Sequence, residues 1–360
     1  MVYNFGAGPA MLPPPVMQRI RDEFLDYQGM GVSVIEISHR CPEFATILAE
    51  AKRLIRELAG VPDNYQILFT HGGARMQFAA LPMNLADRSA SKTCLYVESG
   101  NFAGLAIKDA KAYGDIRVIA SSAGDNFKSL PTIDPASIDP TAAYLHLTSN
   151  NTLYGTQWTN FPDSGAVPLV LDQTSEILSR RLDFSRFGMV YAGLQKNLGP
   201  SGMAVVIIRD DLLGFAAPQT PLLLNYTTAA KDDSLTNTTN TFAVYVTKLV
   251  LEWLRDQGGV ATIEAQNRGK AARLYDRIDR SDFYRGYANS DCRSLMNVTF
   301  NLPNDTLEKT FVTEAETAGL YALAGHRSVG GIRASIYNAM PMDGISALIH
   351  FMDDFERRNG

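Results

Sequence analysis

The 360-residue chain has little of several things, and each shortage excludes a class of protein. Cysteine is scarce: Cys41, Cys94 and Cys292 are an odd number, scattered, with no pair spacing. A disulfide scaffold is therefore not expected, and a reducing, cytoplasmic setting is. The five histidines, His39, His71, His146, His326 and His350, form no His-x-x-x-His, and no Cys-x-x-Cys accompanies them, so no metal site is expected. No basic run occurs and the net charge is -5, which argues against a nucleic-acid or acidic-membrane partner. Every apolar run is broken by charge or proline well short of a membrane span. The opening Met1-Val-Tyr-Asn-Phe-Gly lacks a basic region followed by an apolar one, so no secretory leader is expected.

What remains is an ordinary globular composition, 46% hydrophobic and 20% charged, in a chain long enough for two domains. The first fifteen residues are rich in Gly and Pro and read as an extended arm. From Pro42 the apolar residues Ile47, Leu48, Ala51, Leu54, Ile55 and Leu58 follow helical spacing, closed by Gly60 and Pro62. Strand-like runs then alternate with helical ones: Tyr65–Thr70, Thr93–Glu98, Ile116–Ala120, Ala143–Leu147, Pro168–Asp172, Met189–Ala192 and Met203–Arg209. This alternation predicts an α/β domain around a mostly parallel sheet, with its ligand crevice at the carboxyl ends of the strands. A polar segment, Thr227 to Thr241, precedes a helix running to about Asp256. Gly258-Gly259 breaks the pattern. Ser294–Asn301 then reads as a strand, with helices over Leu307–Ala318 and from Asp343. The division expected is a large domain, 16–257, and a small C-terminal domain, 258–360, against which the arm 1–15 packs.

Two residues at strand ends carry most of the chemical information. Lys196 lies in Tyr191-Ala-Gly-Leu-Gln-Lys-Asn-Leu-Gly-Pro-Ser-Gly202, where small residues let backbone approach a ligand. Asp172 ends Val167-Pro-Leu-Val-Leu-Asp172. A lysine and an aspartate at neighbouring strand ends are what a pyridoxal phosphate (PLP) enzyme needs. The lysine forms the Schiff base and the carboxylate pairs with the pyridinium nitrogen. Each has a plainer reading: a solvated surface charge for Lys196, and a helix cap for Asp172 in Asp172-Gln-Thr-Ser. The turn His71-Gly72-Gly73-Ala74-Arg75 lies between a strand and a helix and could offer backbone amides to a phosphate. The patch Asn237-Thr238-Thr239-Asn240-Thr241 reads as a cap for the following helix or as a phosphate clamp supplied by a second subunit. His39-Arg40, His326-Arg327 and Arg333 offer cations for a substrate with several anionic groups. Cys41, beside Arg40, reads as a small neutral neighbour rather than a nucleophile.

Together these segments resemble the phosphoserine aminotransferases, PLP enzymes of fold type I. The resemblance runs nearly the whole chain. It rests on Asn4-Phe-Gly-Ala-Gly-Pro-Ala-Met-Leu-Pro13, Glu36-Ile-Ser-His-Arg40, Gln77-Phe-Ala-Ala-Leu-Pro-Met-Asn84, Ile177-Leu-Ser-Arg180, the lysine segment, Ser294-Leu-Met-Asn-Val-Thr-Phe300 and Gly325-His-Arg-Ser-Val-Gly-Gly-Ile-Arg-Ala-Ser-Ile-Tyr-Asn-Ala-Met-Pro341. It implies a large domain with a mostly parallel seven-stranded sheet and a smaller α+β C-terminal domain. It also implies one PLP per subunit on Lys196, with Asp172 at the ring nitrogen, Thr152 at the ring hydroxyl and Phe102 stacked on the ring. Ala74, Arg75 and Gln195 fall at phosphate-binding positions, and Asn237 and Thr238 at positions that reach the phosphate from the neighbouring subunit. Arg40 and Arg333 match substrate carboxylate ligands, while His39, His326 and Arg327 lie near the distal anion.

The implied reaction is transamination of 3-phosphohydroxypyruvate with L-glutamate, giving O-phospho-L-serine and 2-oxoglutarate in a homodimer with shared active sites. The resemblance also admits 3-hydroxy-2-oxo-4-phosphobutanoate, on the route to PLP, as a second substrate. Three positions depart from common members: Phe102 for tryptophan, Ala74-Arg75 for Gly-Arg, and Ala7-Gly-Pro9 for Ser-Gly-Pro. The rivals are another fold type I enzyme of the alanine–glyoxylate type, which has little use for the extra cations, and a cysteine desulfurase. The latter needs a mobile cysteine, whereas Cys292 precedes a core-strand pattern. A PLP-binding protein without turnover would be expected to lose the lysine or the arginines.

Overall fold

The computed structural model describes residues 2–327 and 329–360. Its centre is a seven-stranded sheet built from β1 (Tyr65–His71), β2 (Thr93–Glu98), β3 (Asp115–Ser121), β4 (Leu145–Thr148), β5 (Leu169–Asp172), β6 (Met189–Gly193) and β7 (Met203–Arg209), in the order β1-β7-β6-β5-β4-β2-β3. All neighbours pair parallel except β7, which runs antiparallel to both β1 and β6. The sequence predicted these seven strands. It could not show the reversed direction of β7, because a strand covered on both faces is apolar throughout whichever way it runs. In β7 every residue from Met203 to Ile208 is buried. The edge strand β3 is mostly exposed or half-exposed and charged at its start, which discourages further pairing.

Helices cover both faces. On one, α2 (Pro42–Ala59) starts on proline, ends on Gly60 at φ 66°, and buries Phe44, Ile47, Leu48, Ala51, Leu54 and Ile55. At about 1.5–3 kcal/mol for each large apolar side chain buried, that face stabilises the helix far more than its intrinsic propensity does. It shares a core with α6 (Thr241–Asp256). On the other face lie α3 (Gly73–Leu85) and α4 (Asn101–Ala110), around Tyr96, Tyr144 and Tyr191.

A second sheet joins β8 (Arg285–Gly286), β9 (Asn297–Asn301) and β10 (Ile332–Ser335), all antiparallel. It shares a phenylalanine-rich core with α7 (Gly259–Asp279), α8 (Asp305–Thr317) and α9 (Met342–Asn359). Tyr3–Asn4 pairs parallel with Leu320–Tyr321, and Phe5 is buried in this core. The arm then crosses to the large sheet, where Ala10 N donates to Gln195 O at 2.9 Å.

Three details differ from the sequence reading. The arm gives way to helix α1 (Pro14–Glu23) before residue 15, because prolines are tolerated in the first turn, where no N–H is needed. The polar segment contains a short helix, α5 (Tyr226–Lys231), capped by the Asn225 side chain on Thr227 N and Thr228 N. The strand expected from Ser294 begins at Asn297, since Ser294 Oγ instead accepts the N–H groups of Met296 and Asn297.

Candidate active site

The strand order reverses between β2 and β4, so the crevice for a ligand lies at their carboxyl ends. A pocket of about 120 Å³ opens there, lined by Ala74, Arg75 and Phe78 after β1, Phe102 after β2, Thr148, Asn150 and Thr152 around the end of β4, Asp172, Thr174 and Ser175 at and after β5, and Gln195 and Lys196 after β6. Size does not pick this site. A cleft of about 510 Å³ lies between the end of α2 and the start of α7, but it brings no lysine to a carboxylate partner of this kind, and its Arg180 is already held by Glu176.

Lys196 is buried, and its Nζ donates to Thr152 Oγ1 at 2.6 Å, with the Phe102 ring centroid 5.5 Å away. Burial pushes its ammonium down to about 7; Asp172 opposes that shift and Arg333 adds to it. Asp172 is buried too, and burial raises its carboxyl above the ordinary range against the pull of Thr174 and Lys196. Its Oδ1 accepts Thr174 N at 2.9 Å. No helix follows Asp172, so the capping alternative fails and a local turn takes its place.

The turn from Gly72 into α3 has a geometry that can receive an anion. Gly72 sits at φ 81° and Gly73 at φ 63°, and a Cβ on Gly72 would come within 2.7 Å of the Met76 Cβ. Glycine is thus required to turn the chain into α3. No side chain caps this N-terminus, leaving the first-turn amides and the positive end of the helix dipole for an anion. The Arg75 side chain is paired with Asp109 at 3.0 Å, so this turn offers its backbone rather than its guanidinium.

Of the residues singled out from sequence, Ala74, Arg75, Phe102, Thr152, Asp172, Gln195 and Lys196 meet in this pocket. Arg333 lies outside its lining, on β10. Nε and Nη1 of Arg333 are buried without a hydrogen-bond partner, and burial lowers its pKa. Unpaired buried guanidinium donors are costly, and an anion relieves them. His326 is pushed below its usual value by burial and by Arg333 and Arg327, which places these three side chains as neighbours. His39 and Arg40 sit in the turn ahead of α2, and Asn237 and Thr238 ahead of α6, none of them lining the pocket of a single chain. In the polar patch the helix cap is Asn240, whose side chain accepts Ala243 N at 3.0 Å.

Sequence reading missed Thr148, Asn150, Thr174, Ser175 and Phe78, which also line the pocket. Thr174 and Asn150 lay within two residues of residues that were picked; the missing signal was the strand ending that turns them inward.

The fold and this pocket define an aminotransferase-type site, and the family model described as aminotransferase class-V matches residues 2–348. The phosphoserine aminotransferase of Desulfosudis oleivorans is 51% identical over 361 residues, covering 100% of this chain and 99% of the relative. Among solved structures, that of Bacillus circulans subsp. alkalophilus phosphoserine aminotransferase superposes with a TM-score of 0.96 at 47% identity, over 100% and 99% of the two chains. The PLP-bound phosphoserine aminotransferase of Trichomonas vaginalis gives a TM-score of 0.93 at 33% identity, over 98% and 100%. The chain belongs to the phosphoserine aminotransferase family of class-V aminotransferases. An alanine–glyoxylate aminotransferase from Nostoc, at 17% identity, shares the fold alone.

Proposed function

We propose that this protein transfers an amino group between L-glutamate and 3-phosphohydroxypyruvate, producing O-phospho-L-serine and 2-oxoglutarate, with PLP as cofactor. The observation that carries the reading is one pocket in which a buried lysine amine, a buried aspartate and an uncapped helix N-terminus converge. Bound PLP supplies a carbonyl that condenses with amines and a ring that draws electrons from the substrate Cα.

The chain does the rest. The amides at the start of α3 take the phosphate, and Phe102 offers a flat apolar face to the ring. The Asp172 carboxylate supplies a negative charge for the ring nitrogen, fixed in direction by Thr174. Lys196, its affinity for protons lowered by burial, carries the cofactor between turnovers. It then takes the proton from the substrate Cα and returns one. Thr152 accepts its N–H and sets where Nζ points. Arg333, with two donors unpaired, takes the substrate α-carboxylate. His326 and Arg327, with His39 and Arg40, meet the distal carboxylate of glutamate or the phosphate of phosphoserine, so one cationic region serves both substrates.

His39, Arg40, Asn237 and Thr238 complete the site of a second copy in a homodimer. The exposed apolar residues Met17, Leu25, Met30, Val32 and Ile35, just ahead of His39, support such an interface. Residues 16–257 act as the cofactor domain, and 258–360 with the arm 1–15 as the smaller one. Cys41, Cys94 and Cys292 are unpaired thiols, which fits the cytoplasm. No helix among the described residues is long and apolar enough to cross a membrane.

The test is single-turnover absorbance of the yellow, PLP-loaded protein with glutamate, O-phosphoserine or serine. Rapid bleaching by the first two and not by serine is expected. Equal bleaching by serine would overturn the assignment of the cations to a distal anion.

A further inference from the structure

Lys270, on α7, is one of the few fully buried charged groups that no step above uses. Its Nζ donates to three backbone carbonyls: Ile336 O at 3.0 Å, Tyr337 O at 2.7 Å and Met340 O at 3.0 Å. An ammonium has three N–H donors, so the cage matches it donor for donor. Burial pushes this amine down to about 7, while the three carbonyls work the other way and favour the ammonium.

The caged loop, 336–340, follows directly on β10, which carries Arg333. It is held at further points. Tyr337 OH donates to Ala7 O at 2.8 Å, in the arm. Asn338 N donates to Asn197 Oδ1 at 3.1 Å, and Asn197 is the neighbour of Lys196. One turn along α7 from Lys270, Asn267 Nδ2 donates to Asn338 Oδ1 at 2.9 Å and to Ser179 O at 3.0 Å. A single helix face thus grips both the loop behind Arg333 and the segment packed beside Lys196. Asn338 also donates to Leu178 O, where the backbone adopts φ 55°, a conformation that persists only when its surroundings over-determine it.

We propose that Lys270 is a positioning residue: by clamping the loop that follows β10 it sets the gap between Arg333, which binds substrate carboxylate, and Lys196, which moves the proton. The inference rests on the assignment of Arg333 above. Cofactor contacts come from the ends of β1, β2, β4, β5 and β6, none of which Lys270 touches, so its loss registers in amino-acid binding and not in cofactor binding.

The experiment compares PLP-loaded wild type, Lys270→Met, Lys270→Arg and Arg333→Ala, measuring KM for glutamate, kcat and PLP affinity. Lys270→Met is expected to raise KM about tenfold or more, with PLP affinity within about twofold of wild type and a smaller change in kcat. Lys270→Arg, which keeps donors in place, recovers part of the KM. Should Lys270→Met fail to fold, Lys270→Gln, which keeps two N–H donors, takes its place with the same expectation. A KM that stays at the wild-type value in the Met or Gln variant, while Arg333→Ala raises it, overturns the role of Lys270 alone. The same holds if kcat and PLP affinity fall together while KM stays fixed. An unchanged KM in Arg333→Ala overturns the Arg333 assignment and this inference with it.

Discussion

Two lysines in this molecule are buried to a similar degree, and burial drives both toward a pKa of about 7, yet their surroundings differ in kind. Lys270 spends all three donors on carbonyls that cannot leave. The one bond from Lys196 Nζ goes to a hydroxyl, Thr152 Oγ1, beside a pocket that also holds Asp172. A shifted pKa is therefore a poor sign of chemistry by itself. What separates the two is satisfaction: a saturated amine holds structure, and an amine facing a cavity is available to react.

The sharpest way to break this contrast is Lys196→Ala. Proton transfer by a positioned group contributes about 10²–10⁴-fold, and Lys196 also carries the cofactor, so turnover should fall by at least about 10³-fold in single-turnover absorbance. A fall of only a few-fold would make Lys196 no more special than Lys270. Next in size is Asp172→Asn, which keeps shape and removes charge. Removing one preorganised electrostatic partner costs on the order of 100-fold in kcat, and stopped-flow rates with glutamate would show it. Full activity in that variant would return Asp172 to the status of a turn residue held by Thr174.

A third test moves from side chains to backbone. Gly72→Ala forces a Cβ against Met76 at a left-handed φ of 81°, a strain on the order of 1–2 kcal/mol. That strain falls on the turn that presents the amides of α3. PLP affinity should drop by about tenfold, since 1.4 kcal/mol corresponds to a factor of ten. Titration of the unloaded protein with PLP would measure it, and an unchanged affinity would remove α3 from the phosphate site.

How much of this could be read from residues alone divides along the same line. The seven strands, α2, and the meeting of Lys196 with Asp172 were legible, because long apolar runs and strand-end positions leave local traces in the order of amino acids. The direction of β7 was hidden, since full burial erases alternation. The bracket around Lys270 was hidden as well. Its partners are backbone carbonyls about seventy positions away, and a carbonyl has no residue type to betray it. Asn267 and Asn338 gave no signal for the same reason: they act at long range, and an isolated asparagine in sequence reads as a turn or a cap. Arg333 was legible as a cation within a resembling segment, whereas its two unpaired donors became visible only in three dimensions.

The smallest expected effect is also the most discriminating, because the two lysines should respond with opposite signs. Replace each by methionine and follow the Tm of the unloaded protein. An unfolded lysine holds its proton to about pH 10.5, while folded Lys196 gives its proton up near 7. Below pH 7 the folded state therefore carries a buried charge at a cost. Between 7 and 10.5 the unfolded state binds more protons, so this group's contribution to stability rises with pH. Lys196→Met should raise Tm by roughly 2 °C near pH 6.5, a difference that shrinks as the pH approaches 9 and the native amine is already neutral. Lys270→Met instead removes the ammonium from three carbonyls. Tyr337 O keeps the Met340 N–H at 3.0 Å, while Ile336 O and Met340 O lose their Lys270 donor. At about 1–3 kcal/mol for a group left unsatisfied, this should lower Tm at both pH values. If both variants were stabilised, the cage around Lys270 would contribute no more than the burial of any amine. If both were destabilised, Lys196 would be a structural lysine, and the contrast between a saturated amine and an available one would fail at the residue on which the proposed chemistry depends.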